Sequence, residues 1–135
     1  MVEGSLGRSL SYQEHAKLLS LAAANAFCEE VSSRVLWRSA FALALDENDT
    51  EGDKRPSDEL LLHSNLAQAT IFGIWHYHGI PSGWTGVALT FVYGLFMGWL
   101  ADIQEGSLWL PLAAHTVADY YIFAVLVRKK VEKVA

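Results

Sequence analysis

Three groups of ionisable side chains stand inside otherwise apolar stretches of this chain. The first is Glu29-Glu30-Val31-Ser32-Ser33-Arg34. Glu30 and Arg34 are four residues apart with the acid first, the better orientation for an ion pair along a helix. In a low-dielectric setting each of these charges demands such a partner. Glu29 points about 100° away around an α-helix and does not share Arg34. A carboxylate outside the ion pair, and partly desolvated, is a candidate general base. The second group lies in Phe72-Gly73-Ile74-Trp75-His76-Tyr77-His78-Gly79, where His76 follows Phe72 by one helical turn and Gly73 permits close backbone approach. His78 reads better as a histidine at a water interface. The third is His115-Thr116-Val117-Ala118-Asp119. Its two polar groups share one helix face, and Asp119 can hold the orientation and tautomer of the imidazole.

Each group alone has a structural reading: a Glu–Arg pair, an interfacial histidine, a hydrogen-bonded pair joining helices. Together they place two glutamates, an arginine, two histidines and an aspartate on three apolar segments. Packing those segments with the polar faces inward makes the groups converge. The constellation suits a metal site or metal-free general-base hydrolysis. No HExxH is present and Cys28 is the only cysteine, so the spacing supplies no zinc signature. The serines near the histidines have no nucleophile context.

The elements that must position these groups follow from breakers and apolar length. No Gly or Pro falls between residues 8 and 51, so residues 14–45 read as one long helix, bent or straight. The 46–59 stretch carries seven acids and two bases, the −5 charge of the whole chain, and its Gly52 and Pro56 mark a loop. A second helix starts with Ser57 or Asp58 as N-cap, spans residues 60–78 and ends near Gly79. Helices are expected at 85–103 and 107–127 as well. Residues 85–101 contain no charge, and residues 107–127 hold only His115 and Asp119 as ionisable groups. Both approach the length that spans a bilayer core. Trp84, Trp99, Trp109, Tyr120 and Tyr121 supply interfacial anchors. Gly86, Gly94 and Gly98 suit close helix packing.

The 135 residues amount to one domain, with 52% hydrophobic and 19% charged residues. That composition excludes a basic nucleic-acid binder, a disordered acidic chain and a disulfide scaffold. The fold class expected is all-α, a polytopic membrane bundle of about four helices; a soluble four-helix bundle is the alternative. Residues 1–13 form a polar segment without the pattern of a signal peptide, 14–128 the helical body, and 129–135 a basic tail. Four spans put Arg8, Lys17, Arg128, Lys129, Lys130 and Lys133 on one side, against Lys54 and Arg55 on the other. The positive-inside rule then places both termini in the cytoplasm or stroma.

Glu29-Glu30 with Arg34, then Phe72 with His76, then His115 with Asp119, in this order on hydrophobic segments, resemble the three motifs of the CPBP family. That family of intramembrane proteases includes the type II CAAX prenyl endopeptidases and the Abi or bacteriocin-processing proteins. The resemblance covers roughly residues 20–125. It implies that Glu29 with His76 activates water, that Glu30 and Arg34 help build the site, with Phe72 supporting it, and that His115 and Asp119 serve the oxyanion. It implies either a glutamate mechanism without cofactor or a divalent metal, zinc, on Glu29, His76 and His115. The partners implied are the lipid bilayer and a membrane-associated peptide or prenylated protein, with no nucleic acid. Three departures stand out. Family members carry more spans than the four this chain has room for. Asp119 replaces the commoner Asn. Ser32-Ser33 replaces a bulky apolar pair. The competing role is a catalytically silent membrane scaffold or immunity-type binding protein of the same fold.

Overall fold

The computed structural model describes residues 9–45 and 57–132. The start of the polar segment, most of the acidic loop and the end of the basic tail lie outside the described residues. Among the described residues every regular element is helical.

The first helix, α1, spans Tyr12–Glu30. It opens on a capping box. The Ser11 backbone N–H donates to Glu14 Oε2 at 2.8 Å, and the Glu14 N–H donates back to Ser11 Oγ at 3.3 Å. The helix does not stop at Glu30. It widens into a π-helical segment, Val31–Trp37, and returns to α geometry in α2, Arg38–Leu45. The Arg38 N–H accordingly bonds to the Ser33 carbonyl, five residues back. The single long helix expected over 14–45 is present, with this widened segment inside it.

Helix α3, Asp58–Trp75, starts where Ser57 Oγ accepts the Leu60 N–H at 3.2 Å. It tightens into a 3-10 turn at His76–His78. Helix α4 covers Gly83–Ile103. Its end is made by Glu105 and Gly106, both in the left-handed region, and the Gly106 N–H closes on the Ala101 carbonyl at 2.8 Å. Helix α5 covers Trp109–Glu132, with Pro111 in its first turn, where a missing N–H costs nothing.

The chain divides into two compact units, Glu29–Pro111 and a second made of the residues up to Cys28 with those from Leu112 onward. In the first unit α3 and α4 run antiparallel with their backbones close together. A Cβ on Gly73 would sit 2.9 Å from the Val87 carbonyl, and one on Gly94 3.3 Å from Ala69; one on Gly98 would fall on the carboxamide of Asn65. Of the glycines expected to let helices approach, Gly94 and Gly98 do so here, whereas Gly86 lies against the Pro81 carbonyl of the connecting turn. In the second unit α1 and α5 are joined by polar contacts, His15 Nδ1 to Tyr120 Oη at 2.5 Å and Asn25 to Asp119.

Helix α4 and the Trp109–Lys129 part of α5 are each long and apolar enough to cross a membrane. On α4, Leu89, Val92, Phe96, Trp99 and Ile103 form a stripe at helical spacing and all are exposed. A stripe of this size is unfavourable against water and favourable against lipid.

The α3–α4 contact can be tested at Gly98. The Asn65 carboxamide cannot swing aside freely, because it donates to the Leu95 carbonyl at 3.1 Å and accepts from Gln68 at 2.7 Å. Gly98→Ala should therefore cost about 1–3 kcal/mol of stability, seen as a lowered melting temperature in detergent.

Candidate active site

The Glu29–Pro111 unit builds its polar centre from a buried ion pair outward. Glu30 and Arg34 are 1% and 5% exposed. Arg34 Nε lies 3.2 Å from Glu30 Oε2, and Arg34 Nη2 donates to Glu30 Oε1 at 3.4 Å. Arg34 belongs to the π-helical segment, a geometry frequently found at functional sites. Its Nη1 donates to Gln68 Oε1 at 2.6 Å. Gln68, wholly buried, spends its own Nε2 on Asn65 Oδ1 at 2.7 Å and on the Gly94 carbonyl at 3.1 Å. A ladder of polar contacts thus runs from Glu30 through Arg34, Gln68 and Asn65 to the α4 backbone. Each rung satisfies a group that would otherwise be costly to bury.

Phe72 connects this ladder to the histidine. The Arg34 guanidinium stands 5.5 Å from the centre of its ring, and the His76 imidazole packs on it at 4.4 Å between centroids. The backbone completes the arrangement. At the end of α3 the His76 N–H turns to the Gly73 carbonyl, as the helix tightens. The Phe72 carbonyl then accepts from His76 Nδ1 at 2.7 Å. A carbonyl only accepts, so Nδ1 carries the proton and, in the neutral ring, Nε2 is an acceptor. That nitrogen faces Glu29 Oε2 at 3.6 Å. Both side chains keep about a quarter of their surface exposed, 22% for His76 and 27% for Glu29. Glu29 and His76 therefore meet at an accessible place, while Glu30 and Arg34 are sealed beneath them.

The same unit holds a second Arg–acid pair, Arg38 with Asp102. Between the two arginines and Ser39, Leu61, Ser64 and Leu108 lies a cavity of about 330 Å³. In the other unit, His115 and Asp119 are both buried, with His115 Nε2 3.7 Å from Asp119 Oδ1. Asn25 donates to Asp119 Oδ2 at 2.9 Å. Sequence reading singled out neither Gln68, Asn65 nor Asn25. Gln68 and Asn65 lie three apart on an apolar helix, which was the available sign of a buried polar face. Among the described residues no group of three or more His, Cys, Asp and Glu side chains is placed to hold a metal ion.

Residues 12–121 match the family model of the type II CAAX prenyl endopeptidase Rce1-like proteins. The match takes in most of the chain, and the protein belongs to this family of CPBP-type intramembrane proteases. Neither the curated proteins nor the solved structures gave a significant match.

The polar ladder predicts an asymmetric response at Gln68. Gln68→Leu removes the acceptor of Arg34 Nη1 at a wholly buried position and should destabilise by about 1–3 kcal/mol. Thermal unfolding in detergent reads this loss, and a surface change such as Lys17→Ala sets the baseline.

Proposed function

We propose that this protein is an endopeptidase in which Glu29 and His76 hold and activate the attacking water. The observation that carries the proposal is the facing pair itself, Glu29 Oε2 and His76 Nε2 at 3.6 Å. With Nδ1 tied to the Phe72 carbonyl, two acceptors face each other. A water within hydrogen-bond reach of both donates one proton to each and turns its lone pair outward. As that oxygen attacks a peptide carbonyl, Glu29 takes the proton. As the C–N bond breaks, the same proton passes to the leaving amine. His115 donates to the developing oxyanion. An ionised Asp119 would repel that oxyanion directly, so its role is to orient His115. The reading routes no step through a metal.

The substrate in this reading is a peptide segment of a membrane-associated protein, with a prenylated C-terminal tail as the form that the family description indicates. The helices cross the bilayer several times, with both termini on the cytoplasmic or stromal side and the 46–59 loop opposite. The support is the Lys/Arg distribution together with the two apolar helices.

Purified protein in detergent, given a prenylated peptide, should release the C-terminal fragment. Glu29→Gln keeps shape and removes the base, so it should lower the rate by roughly 100-fold or more while the helical circular dichroism stays unchanged. Lys17→Ala should leave the rate alone. A Glu29→Gln protein as active as the parent would end this mechanism. Topology is tested separately. A cysteine at Gly52, in a Cys28→Ser background, should react with an impermeant maleimide only from the side away from the termini.

A further inference from the structure

The cavity of about 330 Å³ in the Glu29–Pro111 unit is not used by the hydrolysis described above. Part of its wall is polar, made by Arg34, Arg38, Ser39 and Ser64, and part is apolar, with Leu61 and Leu108. Arg34 is well supplied, since Glu30 and Gln68 face all three of its nitrogens. Arg38 is not. It is 8% exposed, and among the described residues its hydrogen-bond acceptor is Asp102, at Nη2. Its Nε–H is buried with no acceptor among the described residues. A guanidinium has five N–H donors and keeps its charge. Buried this deeply, it calls for more acceptors than one carboxylate oxygen provides.

The position of the cavity narrows what can supply them. Leu61 and Ser64 belong to the first two turns of α3, Ala101 to the last turn of α4, and Gly106 and Leu108 to the connection into α5. The cavity therefore lies at one end of the unit, where helices begin and stop. Helix α4 is long and apolar enough to cross a membrane, so its end falls at the depth of the lipid headgroups. Trp109, exposed and next to Leu108, is an aromatic anchor suited to the same depth.

We infer that this cavity binds the phosphate of a phospholipid headgroup. The phosphate oxygens give Arg38 the acceptors that Asp102 does not, in the charge-assisted contact that guanidinium groups make with phosphates. The Ser39 hydroxyl adds a donor, and the side of Leu61 and Leu108 takes the glycerol and the first acyl carbons. A free phosphate would satisfy the arginine and leave the apolar wall bare; a neutral lipid would do the reverse. Basic pockets between transmembrane helices hold lipid headgroups on the same principle. The lipid here is a bound component of the fold and not a substrate, so the inference stands apart from the proposed hydrolysis.

The test is lipid retention by the purified full chain in detergent, read by native mass spectrometry. Titration with dioleoyl phosphatidylglycerol should show one lipid held more tightly than any that follow. Dioleoylglycerol, with the same chains and no phosphate, should bind about tenfold more weakly or worse, the loss expected for charge-assisted hydrogen bonds. Arg38→Gln should weaken phosphatidylglycerol to the level of dioleoylglycerol. Ala42→Phe narrows the cavity and keeps both arginines and Asp102, so it should weaken the phospholipid similarly and carries the test if Arg38→Gln does not fold. Lys17→Ala should bind like the parent. Inorganic phosphate alone, at millimolar concentration, should leave the melting temperature unchanged. Equal retention of the two lipids, or parent-like phospholipid affinity in either folded variant, overturns the inference. So does a rise in melting temperature with inorganic phosphate that matches the rise with phosphatidylglycerol, since the site would then take a free anion.

Discussion

The Glu30–Arg34 pair is the constraint around which the Glu29–Pro111 unit is organised. Two charges buried this deeply are stable only if each remaining donor and acceptor also finds a partner. Arg34 has more donors than Glu30 can take, and Gln68 accepts one of them. Gln68 then has its own amide to satisfy, and does so on Asn65 and the Gly94 carbonyl. That last contact requires α4 to lie close to α3, which is possible because Gly73, Gly94 and Gly98 carry no side chain at the crossing. The close helix packing and the buried charge are therefore one requirement seen from two ends.

The histidine is placed by the same logic. Phe72 is both a surface for the Arg34 guanidinium and the residue whose carbonyl binds His76. The four-residue spacing from Phe72 to His76 matters because the helix tightens at that point and releases the carbonyl for the ring. Had the α-helix run on, the His76 backbone N–H would have competed for the Phe72 oxygen. The imidazole would then have lost the contact that sets its tautomer.

Much of this was legible in the sequence. The acid-first spacing of Glu30 and Arg34 gave the ion pair, and it left Glu29 for another role. The Ser57 cap, the glycines of α4 and the apolar lengths gave the helices and most of their limits. The widening at Val31–Trp37 was not legible, because Val, Ser, Leu and Trp carry no signal that separates α from π geometry. The partners Gln68, Asn65 and Asn25 were missed for a different reason. An uncharged amide on a helix is usually a surface residue, and only its neighbours reveal that it satisfies a buried charge. Ser11 and Glu14 show the reverse case: their capping box was written in the sequence, and the helix begins two residues earlier than apolar periodicity suggested.

The π-helical segment has a consequence for how this region can change over time. A substitution within Val31–Trp37 alters one side chain and leaves the path of the backbone intact. Tightening the segment to ordinary α pitch with all seven residues kept would rotate everything after it by roughly 100° relative to Glu29. Arg38 would swing away from Asp102, and the wall of the cavity would turn with it. Losing one residue together with the widened turn would instead keep Arg38 close to its present direction, so the segment can change in length only if its pitch changes with it.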